Sequence, residues 1–221
     1  MKTHKGFTLI EMLVVIGIIV ILMGASIAGY SKMTKSAERT KAQELVSNAA
    51  TALTVYFQQE GAWPKRILTE GKSDGRLDDK VALILAKKGL MSISSSGSKL
   101  TGLDQFGIVS PWATAAIKRA GNGASLSTKI PGTQSTVQDH ILHFAVDLDG
   151  DGIVKGANVG GSTINVRATA IVWCGGKDGV VDPYPSAGGS SSGKKGSNAG
   201  SSSGRLDDIY SWTRGQTQGA E

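Results

Sequence analysis

The feature that most constrains this chain is an apolar run near its N-terminus. Residues 7–30 are twenty-four positions in which Glu11 is the only charged side chain. A helix needs roughly 20 apolar residues to cross a bilayer, so this run predicts a membrane-spanning helix. Lys2 and Lys5 precede it, and the positive-inside rule then places the N-terminus in the cytoplasm and the rest of the chain across the membrane. A secretory signal peptide is the alternative, but the run is too long for its apolar region and continues into further helical spacing.

Glu11 lies within this apolar helix, where a charge costs about 3 kcal/mol on insertion scales and marks a candidate functional residue. The alternative is that Glu11 lies near the helix end and its side chain reaches the membrane interface. The segment 5–11, KGFTLIE, resembles the leader of type IV prepilins, which type IV pilins share with the pseudopilins of type II secretion. The resemblance implies that a prepilin peptidase removes the leader 1–6 by cutting after Gly6, and that the new N-terminus, Phe7, is methylated. A buried carboxylate needs a partner, and the N-terminal amine of a neighbouring copy would provide one. Glu11 is therefore the predicted assembly residue.

The helical pattern extends beyond the apolar run. Apolar residues recur at steps of three and four, with charged residues between them. No proline interrupts residues 7–62, and Gly61 followed closely by Pro64 predicts the helix end. Residues 31–62 are thus the predicted amphipathic half of the same helix, packed on a soluble head. Two helices broken near residues 24–29 are the alternative.

The remaining residues, 63–221, are predicted to form a globular head. Residues 81–90 have the pattern of a short helix, and residues 140–146 and 163–174 that of strands. Helix followed by antiparallel strands is an α+β arrangement. The resemblance implies the same fold, a long N-terminal helix packed on a small antiparallel sheet. The span 186–204 has 14 Ser or Gly among its 19 residues, which predicts a flexible loop.

Composition and motifs limit the classes of function. The chain has 221 residues and a single cysteine, Cys174, so no internal disulfide can form. Its net charge of +6 is spread along the chain and does not indicate binding to nucleic acid. His140 and His143 are three apart on a predicted strand and would face opposite sides, which makes a poor metal pair. No GxSxG, HExxH or phosphate-loop motif occurs, so we expect a protein that is not an enzyme.

A first candidate cation site follows the strand predicted at residues 140–146. Asp147, Asp149 and Asp151 alternate along a turn that contains two glycines. Such carboxylates bring oxygen atoms around one point, which suits Ca²⁺ and its six to eight oxygen ligands. The segment is not an EF-hand, because its twelfth position is Asn158 instead of a bidentate glutamate. The alternative is a solvated turn in which Asp and Gly serve only the backbone.

A second acidic pair lies nearer the C-terminus. Asp178 follows the last predicted strand, and Asp207-Asp208 follows the Ser/Gly loop, shortly before Trp212. These segments resemble the C-terminal calcium loop of the major pseudopilin of type II secretion. The resemblance implies Asp178 and Asp208 as calcium ligands, Asp207 as a further candidate, and Trp212 as an apolar anchor. The loop is far longer here than in that family. Which of the two acidic clusters binds calcium, if either does, stays open from the sequence.

Together these features predict a structural subunit of a periplasmic pseudopilus of type II secretion. The subunit would be a single-pass protein of the bacterial inner membrane with a periplasmic head, polymerised through its N-terminal helix. Its expected partners are copies of itself, other pseudopilins, the prepilin peptidase and the inner-membrane assembly platform. Alternatives within the family are a type IV pilin and a minor pseudopilin. Outside it, they are a membrane-anchored calcium-binding protein that never polymerises and a secreted enzyme with an unusual signal peptide.

Overall fold

The computed structural model describes residues 9–91, 108–121, 125–182, 184, 208–212 and 216–218, without the side chains of residues 25–29, 31, 32 and 218. The predictions for Gly6, Phe7, Asp207 and the loop 186–204 lie outside the described residues. The chain divides into two compact units, Met1–Thr40 and Lys41–Glu221. The boundaries predicted at residues 30 and 62 stay a prediction.

One long helix, α1, spans Leu9–Glu60. Its end agrees with the sequence signals, because Gly61 adopts a left-handed φ of 69° and its N–H donates to the carbonyl of Phe57 at 2.8 Å. Glycine is the residue that takes this conformation at no steric cost. The alternative of two helices broken near residues 24–29 is wrong, since the helix is continuous there.

Within the unit Lys41–Glu221, α1 contributes one face to the core. Ala42, Val46, Ala49, Leu53 and Tyr56 are buried at alternating steps of four and three. This spacing keeps them on one side of a 3.6-residue helix. Polar residues such as Thr51 and Gln58 are exposed on the other side. The predicted amphipathic half of the helix therefore packs on the head from about residue 42 onward.

The described residues of the head form three further α-helices and a 3₁₀ helix. They are α2 at Lys65–Glu70, α3 at Asp79–Lys87, α4 at Pro111–Ala120, and the 3₁₀ helix at Val137–His140. The predicted helix at 81–90 corresponds to α3, which begins earlier because the Asp78 carboxylate caps it by accepting from the N–H of Val81.

In the part of the chain that the structure describes, seven strands form two antiparallel sheets. The strands are β1 at Gly75–Arg76, β2 at His143–Val146, β3 at Val154–Val159, β4 at Ser162–Val166, β5 at Ala170–Cys174, β6 at Ile209–Tyr210 and β7 at Thr217–Gln218. The first sheet has the order β1-β2-β5-β6, and the second has the order β3-β4-β7. The predicted α+β fold, a long N-terminal helix with antiparallel sheet, is thus confirmed.

Two strand predictions need correction. The predicted strand 163–174 is two strands, β4 and β5, which belong to different sheets. The predicted strand 140–146 is shorter, because residues 137–140 form the 3₁₀ helix, which a capping box of Thr136 and Asp139 begins. His140 therefore does not lie on a strand with His143.

The strands β2 and β5 separate two apolar cores. Val172 and Cys174 of β5 join the core that α1, α3 and α4 cover. Ile171 and Trp173 point to the other core, which also contains residues of β3 and β4. The acidic residues singled out in the sequence lie close to these central strands, with Asp147 directly after β2 and Asp208 directly before β6.

Candidate functional site

The first turn of α1 carries Glu11, and the residues around it are apolar and exposed. Leu9, Ile10 and Met12 are 81%, 74% and 56% exposed. A carboxylate in the first turn of a helix is favoured by the helix dipole. Apolar exposure of this extent along a helix indicates a surface that lipid or another chain covers. No helix in the described part of the chain has both the length and the hydropathy that a membrane crossing requires.

The Asp147 turn, residues 147–152, is held by the side chain of Asp147. This residue is 2% exposed, and its carboxylate accepts from the N–H groups of Asp149, Gly150 and Gly152 at 3.2, 2.8 and 2.7 Å. The indole N–H of Trp63 donates to its carbonyl at 2.7 Å. A buried carboxylate bonded to several backbone amides fixes the shape of the loop around it.

The structure brings the three carboxylates of this turn together. One oxygen from each of Asp147, Asp149 and Asp151 lies within 4.8 Å of the others. The ammonium group of Lys155 already contacts two of them, Asp149 at 2.6 Å and Asp151. These hydrogen bonds lower the pKa of Asp149 and raise the pKa of Lys155. The donor set suits a hard cation, and the protein supplies one positive charge of its own.

Asp208 has a different environment. It is 5% exposed, and its Oδ1 accepts from the N–H of Gly176 at 3.2 Å. Its Oδ2 accepts from the N–H of Asp182 at 2.7 Å and from the hydroxyl of Tyr210 at 3.1 Å. Burial raises the pKa of Asp208 to about 7, against the lowering effect of these hydrogen bonds. Burial and the nearby charge of Asp208 raise the pKa of Tyr210.

Asp178 is exposed, and its Oδ1 accepts from the N–H of Val180 at 3.0 Å within its own turn. Among the residues that the structure describes, the group of three carboxylates close enough to share an ion is that of the Asp147 turn, and it includes neither Asp178 nor Asp208. Calcium at Asp178 and Asp208 stays a prediction from the resemblance.

The C-terminal segment, residues 208–212, is docked along β5. Ser211 exchanges two hydrogen bonds with Val172, both at 2.9 Å. The ring of Trp212 packs edge-on against Trp173 with 6.0 Å between centroids. Trp212 is 7% exposed, as an apolar anchor would be. The segment therefore completes both the first sheet and the apolar core that contains Trp173.

Several side-chain contacts of the head could not be predicted from the sequence. Lys155, four residues after Asp151, is a cation at helical spacing in a segment that is not helical, so nothing local marked it. The fully buried His140 lies between the hydroxyls of Ser110 and Ser135, at 2.8 and 3.0 Å. His143 contacts Asp74 at 2.5 Å, a contact between residues 69 apart.

Comparisons with known proteins match the N-terminal segment to a family model and longer parts of the chain to curated relatives. Residues 1–27 match a family model described as the prokaryotic N-terminal methylation motif. The chain is 28% identical over 149 residues to the type IV major pilin protein PilE of Neisseria gonorrhoeae, over 66% of this chain and 87% of that protein. It is 30% identical over 113 residues to the type IV major pilin protein PilE1 of the same organism, over 50% of this chain and 68% of that one.

A further relative is the fimbrial protein EcpC of Eikenella corrodens, which is 27% identical over 129 residues, covering 57% of this chain and 81% of that protein. No solved structure matches the chain.

Proposed function

Because this chain belongs to the type IV pilin family, we propose that it is cut between Gly6 and Phe7, methylated at Phe7 and polymerised through α1 into a filament. The observation that carries this proposal is the match of residues 1–27 to the methylation motif, which includes both sides of the cut and Glu11. The named relatives are filament proteins, so the role is structural and not enzymatic. A prepilin peptidase and copies of the same chain are the partners that this function needs.

Before assembly, residues 7–30 would hold the subunit in the bacterial inner membrane with the N-terminus cytoplasmic and the head periplasmic. Lys2 and Lys5 support this orientation. The exposed apolar side chains from Leu9 to Met23 support the anchor, since water is an unfavourable environment for them. In the filament the same side chains would contact neighbouring copies, with Glu11 next to the N-terminal amine of one of them.

Mass spectrometry of the mature protein tests this proposal most directly. The expected chain begins at Phe7 and carries one added methyl group on its amine. A mature chain that begins beyond residue 25 would contradict it and favour a secreted protein. Retention of residues 1–6 in cells with an active prepilin peptidase would contradict it as well.

For the type of filament, we propose a type IV pilus, since the relatives named above are major pilins and a fimbrial protein. The second candidate is a periplasmic pseudopilus of type II secretion, with other pseudopilins and the inner-membrane assembly platform as partners. Its support is the sequence resemblance of the segments with Asp178, Asp208 and Trp212 to the C-terminal loop of the major pseudopilin. Deletion of the gene separates the two: loss of surface filaments indicates the pilus, and loss of protein secretion with surface filaments intact indicates the pseudopilus.

Calcium, finally, is proposed for the Asp147 turn. Three carboxylates within 4.8 Å support it, and the chemistry of hard oxygen ligands fits Ca²⁺. The contacts of Lys155 oppose tight binding, because its ammonium would have to leave Asp149 and Asp151. Titration of the full-length protein in detergent with CaCl₂ tests the proposal. Heat of binding that disappears in the double variant Asp149→Asn, Asp151→Asn supports it, and no heat in the unchanged protein contradicts it.

A further inference from the structure

Asp208 lies where the resemblance places a calcium ligand, but its surroundings are those of a hydrogen-bond acceptor. Two N–H groups and one O–H group point at its carboxylate, at 2.7 to 3.2 Å. These donors present partial positive charge to the oxygens that a cation would need. Ca²⁺ takes six to eight oxygen ligands. The other implied ligand, Asp178, is exposed and directs Oδ1 to the N–H of Val180. The residues described around Asp208 therefore do not fit a calcium ion.

From this disagreement we infer that Asp208 fastens the C-terminal segment to the head directly, through hydrogen bonds and without a metal ion. The inference concerns the folded subunit and is independent of which filament the subunit forms. Asp208 is a positioning residue in this role, since it acts on the place of the segment that follows it.

The three donors to Asp208 come from separate parts of the chain. Gly176 follows β5, Asp182 lies six residues further on, and Tyr210 belongs to the segment itself. The carboxylate of Asp208 thus binds two residues that lie 32 and 26 positions before it in the chain, Gly176 and Asp182, as well as the nearby Tyr210. Closing loops of this size is unfavourable in entropy, so a fixed link at the start of the segment matters most.

The hydrogen bonds of Asp208 also affect the contacts of the residues that follow it in the chain. Directly after Asp208 and Tyr210, Ser211 bonds to Val172 and Trp212 packs on Trp173. If the hydrogen bonds of Asp208 were lost, Ser211 and Trp212 would have to keep these contacts without a fixed residue at the start of the segment. Burying the Asp208 carboxylate without its donors would itself cost about 1–3 kcal/mol or more.

Amide hydrogen exchange of the full-length protein in detergent micelles, measured above pH 7 where Asp208 is ionised, tests the inference. The amides of Gly176 and Asp182 report on the link, and the amide of Val146, bonded to the carbonyl of Gly71 at 3.0 Å, reports global opening. In Asp208→Asn, one oxygen becomes an NH₂ group that faces a donor. We expect the two reporting amides to exchange about 5- to 100-fold faster relative to Val146. Asp178→Asn is the matched control, and we expect no change in it.

The calcium alternative makes opposite predictions for the same amides. If an ion held Asp178 and Asp208 together, EDTA would accelerate exchange at Gly176 and Asp182 in the unchanged protein. Asp178→Asn would then resemble Asp208→Asn. Either result overturns the inference, whereas exchange that EDTA leaves unchanged supports it.

A milder variant keeps the test decisive if Asp208→Asn fails to fold. Tyr210→Phe removes the hydroxyl donor and leaves the ring, which packs 4.9 Å from Trp212 between centroids. We expect exchange at Asp182 to accelerate about fivefold relative to Val146, because the carboxylate loses the hydroxyl that holds its Oδ2 in position for the N–H of Asp182. Unchanged exchange at Asp182 in this variant would overturn the inference.

Discussion

Replacing Leu53 with alanine tests whether the second half of α1 is part of the folding unit of the head. Leu53 has no exposed surface and lies in the core that α1 shares with α3, α4 and the first sheet. Thr51, two residues earlier on the same helix, is exposed, and its hydroxyl donates to the carbonyl of Ser47 at 2.9 Å. The two positions thus differ in burial while sharing the same helical environment.

The expected loss of stability follows from the burial of Leu53. The substitution removes three carbon atoms, worth about 0.8 kcal/mol each in transfer free energy, or about 2.4 kcal/mol in all. An unfilled cavity adds to this, and Leu→Ala substitutions in protein cores cost about 2–5 kcal/mol. We therefore expect a loss of about 3 kcal/mol in the free energy of unfolding. Thr51→Ala should stay within about 0.5 kcal/mol of the unchanged protein.

Urea denaturation of the full-length protein in detergent measures both variants, with tryptophan fluorescence as the signal. All four tryptophans lie in the unit Lys41–Glu221. With a slope of about 2 kcal/mol per molar urea, the midpoint should fall by about 1.5 M in Leu53→Ala. A midpoint shift no larger than that of Thr51→Ala would refute the packing of α1 described above.

Three further predictions concern charged groups. Glu11→Ala should leave cleavage at Gly6 intact but sharply reduce filament yield in electron micrographs, whereas the exposed Glu44→Ala should assemble normally; equal yields would remove the assembly role of Glu11. Lys155→Met should tighten calcium binding at the Asp147 turn in calorimetric titration, since it removes the competing ammonium, and weaker binding would contradict the competition. Burial raises the pKa of Asp208 to about 7 from about 3.9 in the unfolded chain. Its contribution to stability is therefore complete below about pH 4 and is lost as the pH rises through 7, by up to about 4 kcal/mol. Urea midpoints measured between pH 4.5 and 7.5 should show this decline, and Asp208→Asn should lack it.

The parts of the fold that sequence could predict depend on local patterns. The helix α1 follows from its apolar spacing, and its end follows from Gly61. Sequence patterns predict the helix α4 poorly, because Pro111-Trp112 is typical of irregular chain, although Ser110 at the cap and proline at the first position form a known start signal. This start signal covers two residues, and the apolar pattern that follows it is too weak to predict a helix.

The remaining differences come from contacts between distant residues. The turn between β4 and β5 has no glycine or proline, and its break depends on tertiary contacts such as the bond from the N–H of Asp147 to the carbonyl of Thr169. The acidic spacing of the Asp147 turn predicted its three carboxylates correctly as neighbours, because a tight turn is local. The donors around Asp208 are up to 32 residues away, and no local rule could have assigned them.

The burial of β5 on both faces has a consequence for how its register is chosen. In most half-buried strands, a slip by one residue would turn polar side chains into the core, and the free-energy cost of burying them excludes the slipped register. Every residue of β5 is buried, so a slip would only exchange one apolar set for another. Size must decide instead: Trp173 would enter the space of Val172 or Cys174 and could not fit without forcing the helices away. Correct pairing of this strand is thus enforced by volume, and the hydrogen bond from the N–H of Val172 to the hydroxyl of Ser211 adds a polar contact that a slip would break.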